Sequence, residues 1–203
     1  MKHPLDLIGP LRRALNSVLK ETQMTKITAQ MAAELLSHEG LVREAYKDSV
    51  GVWTWSVGIT DASGHKVGRY KDNPQPIERC LEVYIWALET NYLPAVLDTF
   101  KGVELTEEEL TAALSFHYNT GAIGRATWVQ NWLDGDIQAA HKNMLNWAKP
   151  KELFDRRIKE RSLFFDGKWS TDGKALVYDV AKPSYTPIDG KRVDVMPLLE
   201  KLL

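Results

Sequence analysis

The sequence predicts an α+β fold in which a small part of mixed helix and strand is followed by a larger helical part. In one short segment Val52, Thr54 and Ser56 alternate with Trp53, Trp55 and Val57, which is the period of a strand. From residue 77 to about residue 165, apolar side chains instead recur at spacings of three and four, as in amphipathic helices. The 203 residues are enough to bury a sizeable core in one two-lobed domain.

The first part of the chain contains an amphipathic arm and one helix that ends beside an acidic residue. Residues 1–24 space leucine and isoleucine by three and four, which predicts the arm. The next helix begins near Thr25 or Thr28, because either residue suits an N-cap. It ends at Gly40, since glycine is typical of the position after a helix. Glu39 is therefore expected on the last helical turn.

Turn formers and capping residues divide the rest of the chain. Residues 48–51 begin with Asp and end with Gly, as a type I turn does. Residues 77–99 are helical in period, with Pro94 as a kink or break. Thr106 and Glu109 fit a capping box at the start of another helix. Further helices are expected near residues 125–134 and 136–148, and from Pro150 to about residue 165.

The last segment is richer in Gly and Pro, yet it keeps many apolar residues. A strand is expected over residues 175–180 and a short helix over residues 193–203. The apolar content is too high for a free linker, so this segment is expected to pack on the body. The predicted organisation is an amphipathic arm (1–24), a small α/β lobe (25–76), a helical lobe (77–165) and a packed C-terminal extension (166–203).

Composition excludes several classes of protein. No apolar run approaches the roughly 20 residues of a membrane span, and the N-terminus lacks a secretory signal, so no stable membrane insertion is expected. The formal net charge of -1 argues against a nucleic-acid binder that neutralises phosphates. The one cysteine, Cys80, allows no intrachain disulfide. We expect a monomer.

Two other kinds of catalytic site find no support in the sequence. His38 and Glu39 begin like the HExxH motif of zinc proteases, but Val42 occupies the second histidine position and Gly40 ends the helix. The five histidines show no other ligand spacing, so no metal site is expected. A serine hydrolase is not supported either, because the chain has no G-x-S-x-G motif.

Glu39 and Asp48 suit the two carboxylate roles of glycoside hydrolysis. One carboxyl group must protonate the leaving oxygen, while the other activates water or attacks the sugar. Glu39 faces the negative end of the helix dipole, which disfavours its ionised form. Asp48 lies in a polar turn with backbone N–H groups nearby, which favours ionisation. Taken singly, however, each residue is more often a surface acid or a turn former, and Thr54 more often only a strand residue.

The spacing of these residues resembles the catalytic segment of phage-type lysozymes, glycoside hydrolase family 24. That family has Glu, eight residues, Asp, five residues and Thr, and this chain reproduces the pattern with Glu39, Asp48 and Thr54. The accompanying residues also match: Gly40, Ala45, Tyr46 and Gly51. Residues 115–121 resemble the family's Ser-Phe-x-x-Asn-x-Gly segment, and residues 156–161 resemble its Arg-Arg-x-x-Glu helix.

The resemblance implies a fold and a set of residue roles. The fold would be lysozyme-like, with a small lobe of two or three antiparallel strands and a larger helical lobe flanking a cleft. Glu39 would be the general acid, Asp48 the second carboxylate, and Thr54 a residue that holds the attacking water. Asn119 and Arg156 are candidate substrate-binding residues, and Arg156 is also a candidate to pair with Glu39.

The resemblance also implies a substrate and a biological setting. The enzyme would hydrolyse the β-1,4 bond between N-acetylmuramic acid and N-acetylglucosamine in bacterial peptidoglycan, with inversion and without a cofactor. It would accumulate in the host cytoplasm and depend on a holin to reach the periplasmic wall. Two alternatives stay open: a lytic transglycosylase, and a catalytically silent wall-binding or virion protein.

Several positions depart from the family pattern after the threonine. The family often continues Ile-Gly-Tyr-Gly-His-Thr, whereas this chain has Trp55, Ser56 and Ile59 in place of Ile, Gly and His. These departures bear on the shape of the cleft and on sugar preference, while leaving the catalytic set in place.

Overall fold

The computed structural model describes residues 26–203, so the arm expected at residues 1–24 lies outside the described residues. Eight α-helices and five strands form in this part of the chain. The helices are α1 (Ala29–Glu39), α2 (Ile77–Ala87), α3 (Leu93–Thr99), α4 (Glu107–Thr120), α5 (Thr127–Leu133), α6 (Ile137–Met144), α7 (Phe154–Asp166) and α8 (Met196–Leu202). The strands are β1 (Leu41–Lys47), β2 (Trp53–Ser56), β3 (Ile59–Thr60), β4 (Lys174–Val180) and β5 (Pro187–Asp194).

Helix α1 has the two ends that its sequence predicts. The Thr28 hydroxyl accepts a hydrogen bond from the backbone N–H of Met31 at 3.1 Å, so Thr28 is the N-cap. At the other end Gly40 has a positive φ of 76°, and its N–H donates to the carbonyl of Leu36. The chain leaves the helix at Gly40, which makes Glu39 the last helical residue.

The sheet is larger than expected. Strands β1, β2 and β3 form the expected antiparallel arrangement. Strands β4 and β5 extend it to five, in the order β3-β2-β1-β4-β5, and β4 runs parallel to β1. The expected count of two or three strands was therefore too low. An unpaired β1 edge would leave backbone N–H and C=O groups without partners, and β4 covers that edge.

Local signals correctly predict the helical part. The capping box forms at α4, where Thr106 accepts from the N–H of Glu109 while the Glu109 carboxylate accepts from the N–H of Thr106. The break near Pro94 is a π-helical turn over Leu88–Tyr92, after which α3 begins with the proline in its first turn. Pro150 precedes a 3-10 turn that leads into α7.

One buried apolar cluster joins the sheet, α1 and the helices that follow. Because this core runs through both segments, the division into lobes at residues 25–76 and 77–165 stays a prediction. Residues after α7 also contribute to the cluster: β4 buries Ala175 and Val177, and α8 packs Leu199 on α1 and α2.

Within residues 26–203, no helix has both the length and the apolar character to cross a membrane.

Candidate active site

Glu39 forms an ion pair with Arg156, which lies 117 positions further along the chain. The Arg156 Nη1 atom donates to Glu39 Oε1 at 2.5 Å, which confirms the predicted pairing. The Glu39 side chain is 23% exposed and that of Arg156 is 8% exposed. Glu39 thus lies at the surface end of a charged cluster that is otherwise buried, and solvent or a ligand can reach it.

Arg156 is held from two directions by buried groups. Its Nε donates to Glu160 Oε1 at 2.9 Å, and its Nη2 donates to the backbone carbonyl of Ser115 at 3.1 Å. The Ser115 hydroxyl also donates to Glu160 Oε1, at 2.6 Å. Burial lowers the pKa of Arg156, but the charges of Glu39 and Glu160 outweigh it and raise that pKa above its ordinary value. The guanidinium stays charged and is fixed in one orientation.

A second arginine completes the cluster and connects it to Asn119. Arg157 Nη1 lies 2.5 Å from Glu160 Oε2, and its Nη2 donates to Asn119 Oδ1 at 2.6 Å. Two arginines and two glutamates, including Glu39, therefore balance in formal charge, as buried ions must. The structure places Asn119 as a partner of Arg157, and its expected role in substrate binding stays a prediction.

Asp48 lies at the other end of β1 from Glu39, in the predicted turn. Its backbone carbonyl accepts from the N–H of Gly51 at 3.0 Å, which closes the turn. Its Oδ1 accepts from the N–H groups of Val50 at 3.0 Å and Val52 at 2.8 Å. Both bonds use Oδ1, so Oδ2 is left to accept a proton or bind water.

Thr54 is buried in β2, opposite Tyr46 of β1 and Thr60 of β3. Its hydroxyl donates to the backbone carbonyl of Val52 at 3.1 Å, which leaves its oxygen able to accept a hydrogen bond. Because Val52 also donates to Asp48 Oδ1, this one residue is hydrogen-bonded to both Asp48 and Thr54.

Four tyrosines have pKa values that the charge of Glu39 helps to raise, and none of them was predicted from the sequence as a site residue. Burial, followed by the charges of Asp48 and Glu39, raises the pKa of Tyr46 to about 12, so Tyr46 lies within electrostatic reach of both carboxylates. Burial, together with charge that includes Glu39, also raises the pKa of Tyr84, Tyr92 and Tyr118. Tyr46 lies inside the matched motif, whereas Tyr84 and Tyr92 have ordinary positions in a helical stripe.

The family-pattern departures Trp55, Ser56 and Ile59 are packed in the interior. Trp55 is fully buried, stacks on Tyr70 with ring centroids 3.7 Å apart, and donates its Nε1–H to a backbone carbonyl. Ser56 donates to the carbonyl of Cys80 at 2.9 Å, and Ile59 is 1% exposed. The bulk of Trp55 is thus accommodated by packing.

In the part of the chain that the structure describes, no group of three or more His, Cys, Asp or Glu residues is arranged to bind a metal ion.

Comparison with known proteins identifies the family. The family model "Phage lysozyme" matches residues 36–160, more than half of the chain and a span that contains every site residue described above. The chain belongs to the phage lysozyme family. Membership makes the protein a glycoside hydrolase of the lysozyme type, which cleaves peptidoglycan.

Solved structures agree with this assignment. The chain resembles the endolysin from Escherichia coli O157:H7 phage FAHEc1, with 25% identity and a TM-score of 0.61, over 70% of this chain and 94% of that one. It also resembles a mutant of P22 lysozyme, with 27% identity and a TM-score of 0.58, over 68% of this chain and 97% of that one. The active form of the P1 phage endolysin Lyz shares 18% identity over 75% of this chain and 92% of its own, with a TM-score of 0.54, and supports the fold. No curated protein sequence matches the chain significantly.

Proposed function

We propose that this lysozyme hydrolyses the β-1,4 bond between N-acetylmuramic acid and N-acetylglucosamine with Glu39 as general acid and Asp48 as general base. The proposal rests on one observation: the two carboxyl groups, at opposite ends of β1, lie in different environments. Glu39 is largely buried at a helix end beside a buried arginine, whereas Asp48 lies in a polar turn and accepts two backbone N–H bonds. Carboxyl groups in such contrasting surroundings suit opposite roles.

Thr54 completes the proposed catalytic set by holding the attacking water. Its hydroxyl proton is committed to the carbonyl of Val52, so its oxygen is the atom that accepts from the water. Asp48 Oδ2 would then take the water's other proton as the oxygen attacks the sugar. A lytic transglycosylase needs the glutamate but no activated water, so a role for Asp48 and Thr54 favours hydrolysis.

Arg156 positions Glu39 through their ion pair. As the general acid, Glu39 would donate a proton to the leaving oxygen of the bound glycan. Asn119 and Arg156 would contact the glycan at this edge of the site.

The setting of the reaction follows from analogy with the family. By this analogy the protein would accumulate in the host cytoplasm as a monomer. It would reach the periplasmic wall through a holin. We propose the same route here.

The test compares the purified protein with a Glu39→Gln variant on permeabilised Gram-negative cells. Gln is nearly isosteric with Glu but cannot donate the proton, so turbidity is expected to fall with the wild type and to persist with the variant. Glu104→Gln, an exposed loop substitution, is the matched control and should clear the cells normally. Near-normal lysis by a folded Glu39→Gln protein would contradict the proposed role. No lysis by the wild type would favour the catalytically silent alternative.

A further inference from the structure

Strand β1 is the segment that joins the two proposed catalytic carboxylates. Glu39 ends α1, residues 41–47 form the strand, and Asp48 begins the turn that follows. On its β2 side, β1 has an irregular register between Val42 and Tyr46, so the regular pairing to β2 is interrupted within the strand. The distance between the two carboxylates therefore depends on the contacts that β1 makes along its other edge.

That other edge is covered by the C-terminal hairpin, which consists of β4, β5 and the turn between them. Strand β4 pairs with the start of β1 in parallel, with Leu41 opposite Val177 and Val42 opposite Tyr178. The family match ends at residue 160, before the hairpin begins. The family resemblance therefore does not explain this contact.

At the Glu39 end, the ring of Tyr178 lies between two glycines. A Cβ atom at Gly40 would lie 2.8 Å from Cε2 of this ring, and a Cβ atom at Gly190 of β5 would lie 2.6 Å from Cε1. Real Cβ atoms do not approach other atoms so closely, so the ring fills the space between the two backbones. Gly40 directly follows Glu39, so the ring packs against the backbone at the end of α1.

At the Asp48 end, the turn of the same hairpin contacts the last residues of β1. The N–H of Lys47 donates to the carbonyl of Tyr185 at 2.7 Å, and the Tyr185 ring packs edge-on against Trp53 with centroids 5.0 Å apart. Lys182 forms ion pairs with Glu44 and Asp72. The hairpin thus holds β1 both beside Glu39 and beside Asp48.

We propose that the C-terminal hairpin sets the separation of Glu39 and Asp48, and that Tyr178 is a positioning residue for Glu39. The inference rests on the proposed function, since it assigns the hairpin a role in the same reaction. An inverting glycosidase needs its carboxyl groups about 6.5–9.5 Å apart, and a misplacement of about 1 Å can lower the rate about 100-fold. A hairpin that holds both ends of the connecting strand controls this distance without touching the substrate.

The test measures kcat and KM separately on solubilised peptidoglycan for variants at Tyr178. Tyr178→Ala is expected to lower kcat about tenfold with KM changed less than about twofold, because chemistry and not binding depends on the spacing. Tyr178→Phe keeps the ring and should keep kcat. Ile188→Ala is the matched control, since it removes an exposed apolar side chain from β5, which does not pair with β1.

If Tyr178 had a purely structural role, its replacement by Ala would lower the melting temperature. The kcat per folded molecule would then be unchanged well below that temperature. Equal kcat for folded Tyr178→Ala and Ile188→Ala would therefore overturn the proposal. An inactive wild type would instead contradict the proposed function, so the two failures are distinguishable.

A second variant decides the question if Tyr178→Ala does not fold. Gly190→Ala adds a methyl group that must push the Tyr178 ring towards Gly40, and it is expected to lower kcat about threefold or more. Gly68→Ala is its matched control, because a Cβ atom there meets open space. Unchanged kcat in Gly190→Ala, measured beside Gly68→Ala, would overturn the inference.

Discussion

At the scale of single residues, the two carboxylates differ in the groups that bind them. Glu39 receives its hydrogen bond from a buried arginine side chain, whereas Asp48 receives two from the backbone of its own turn. A substitution at Asp48 can therefore change the catalytic rate with little effect on stability, whereas a substitution at Arg156 is expected to change both. Loss of Arg156 would remove one of the two arginines that pair with buried Glu160, and breaking a buried ion pair costs about 3–5 kcal/mol.

Asp48→Asn is expected to lower the rate of hydrolysis by about 10²–10⁴ with little change in stability. The amide oxygen of Asn can still accept from the N–H groups of Val50 and Val52, so the turn persists, but the amide cannot take a proton. Reducing-end release gives the rate, and thermal unfolding gives the stability. Asp136→Asn is the control, because Asp136 also accepts a backbone N–H and Asn is an equally good N-cap. Full activity in Asp48→Asn would leave Asp48 as only a turn former.

The stereochemistry of the first product tests the roles of Asp48 and Thr54 together. If Asp48 activates a water held by Thr54, the water attacks from the face opposite the leaving group, and the α-anomer forms first. NMR of the product during the first minutes distinguishes the outcomes. An initial β-anomer would mean that Asp48 is a nucleophile, and 1,6-anhydromuramic ends would mean a lytic transglycosylase.

At the scale of elements, a buried carboxylate on α1 anchors the segment that leads into the C-terminal hairpin. Glu34 is 1% exposed, and its oxygens accept from the N–H and hydroxyl of Ser170 and from the N–H of Thr171. Burial raises the pKa of Glu34, but the His38 ring 3.7 Å away and the hydrogen bonds from Ser170 and Thr171 together hold that pKa below its ordinary value of 4.5. The anchor lies on the helix that carries Glu39.

Glu34→Gln is therefore expected to destabilise the protein most at neutral pH. A carboxylate with a lowered folded-state pKa adds stability that is complete above the unfolded pKa of 4.5 and is lost as pH falls below it. The difference in melting temperature between wild type and Glu34→Gln should be constant from pH 7 to about pH 5.5 and shrink below pH 4.5. Glu89→Gln, at an exposed position, is the control. A difference that does not depend on pH would show that the charge of Glu34 does not contribute to stability.

At the scale of the whole molecule, the C-terminal residues complete the core. Helix α8 packs on α1 and α2, and its Leu199 is fully buried, while Leu203 at the chain end is 45% exposed. The C-terminal segment thus offers a buried leucine within α8 and an exposed leucine just after it, only four positions apart. This pair allows the contribution of the C-terminal segment to be measured without removing it.

Leu199→Ala is expected to lower the free energy of unfolding by about 2–5 kcal/mol, because it leaves a cavity where α8 meets the core. Leu203→Ala should change it by no more than about 0.5 kcal/mol. Denaturant unfolding of both variants measures the difference. Equal, small effects would mean that the segment adds little to the stability of the fold.

The sequence by itself determined the features that local hydrogen bonds and turn chemistry dictate. Thr28 and Gly40 specify the ends of α1, and residues 48–51 specify the turn, because their partners lie within four positions. These short-range signals place Glu39 at a helix end and Asp48 in a turn. The same spacing carries the family resemblance, which also correctly predicted that Arg156 pairs with Glu39.

Only the tertiary structure decided what surrounds those residues. The contact of Arg156 with Ser115, the hydrogen bond from Tyr84 to Ala32 and the pairing of β4 with β1 all join positions far apart in the chain. Long-range contacts depend on how whole elements pack, and a helical stripe that contains Tyr84 looks the same whichever backbone group its hydroxyl meets. The number of strands was underestimated for the same reason, since parallel pairing across 136 positions, between Leu41 and Val177, leaves no local signal in the sequence.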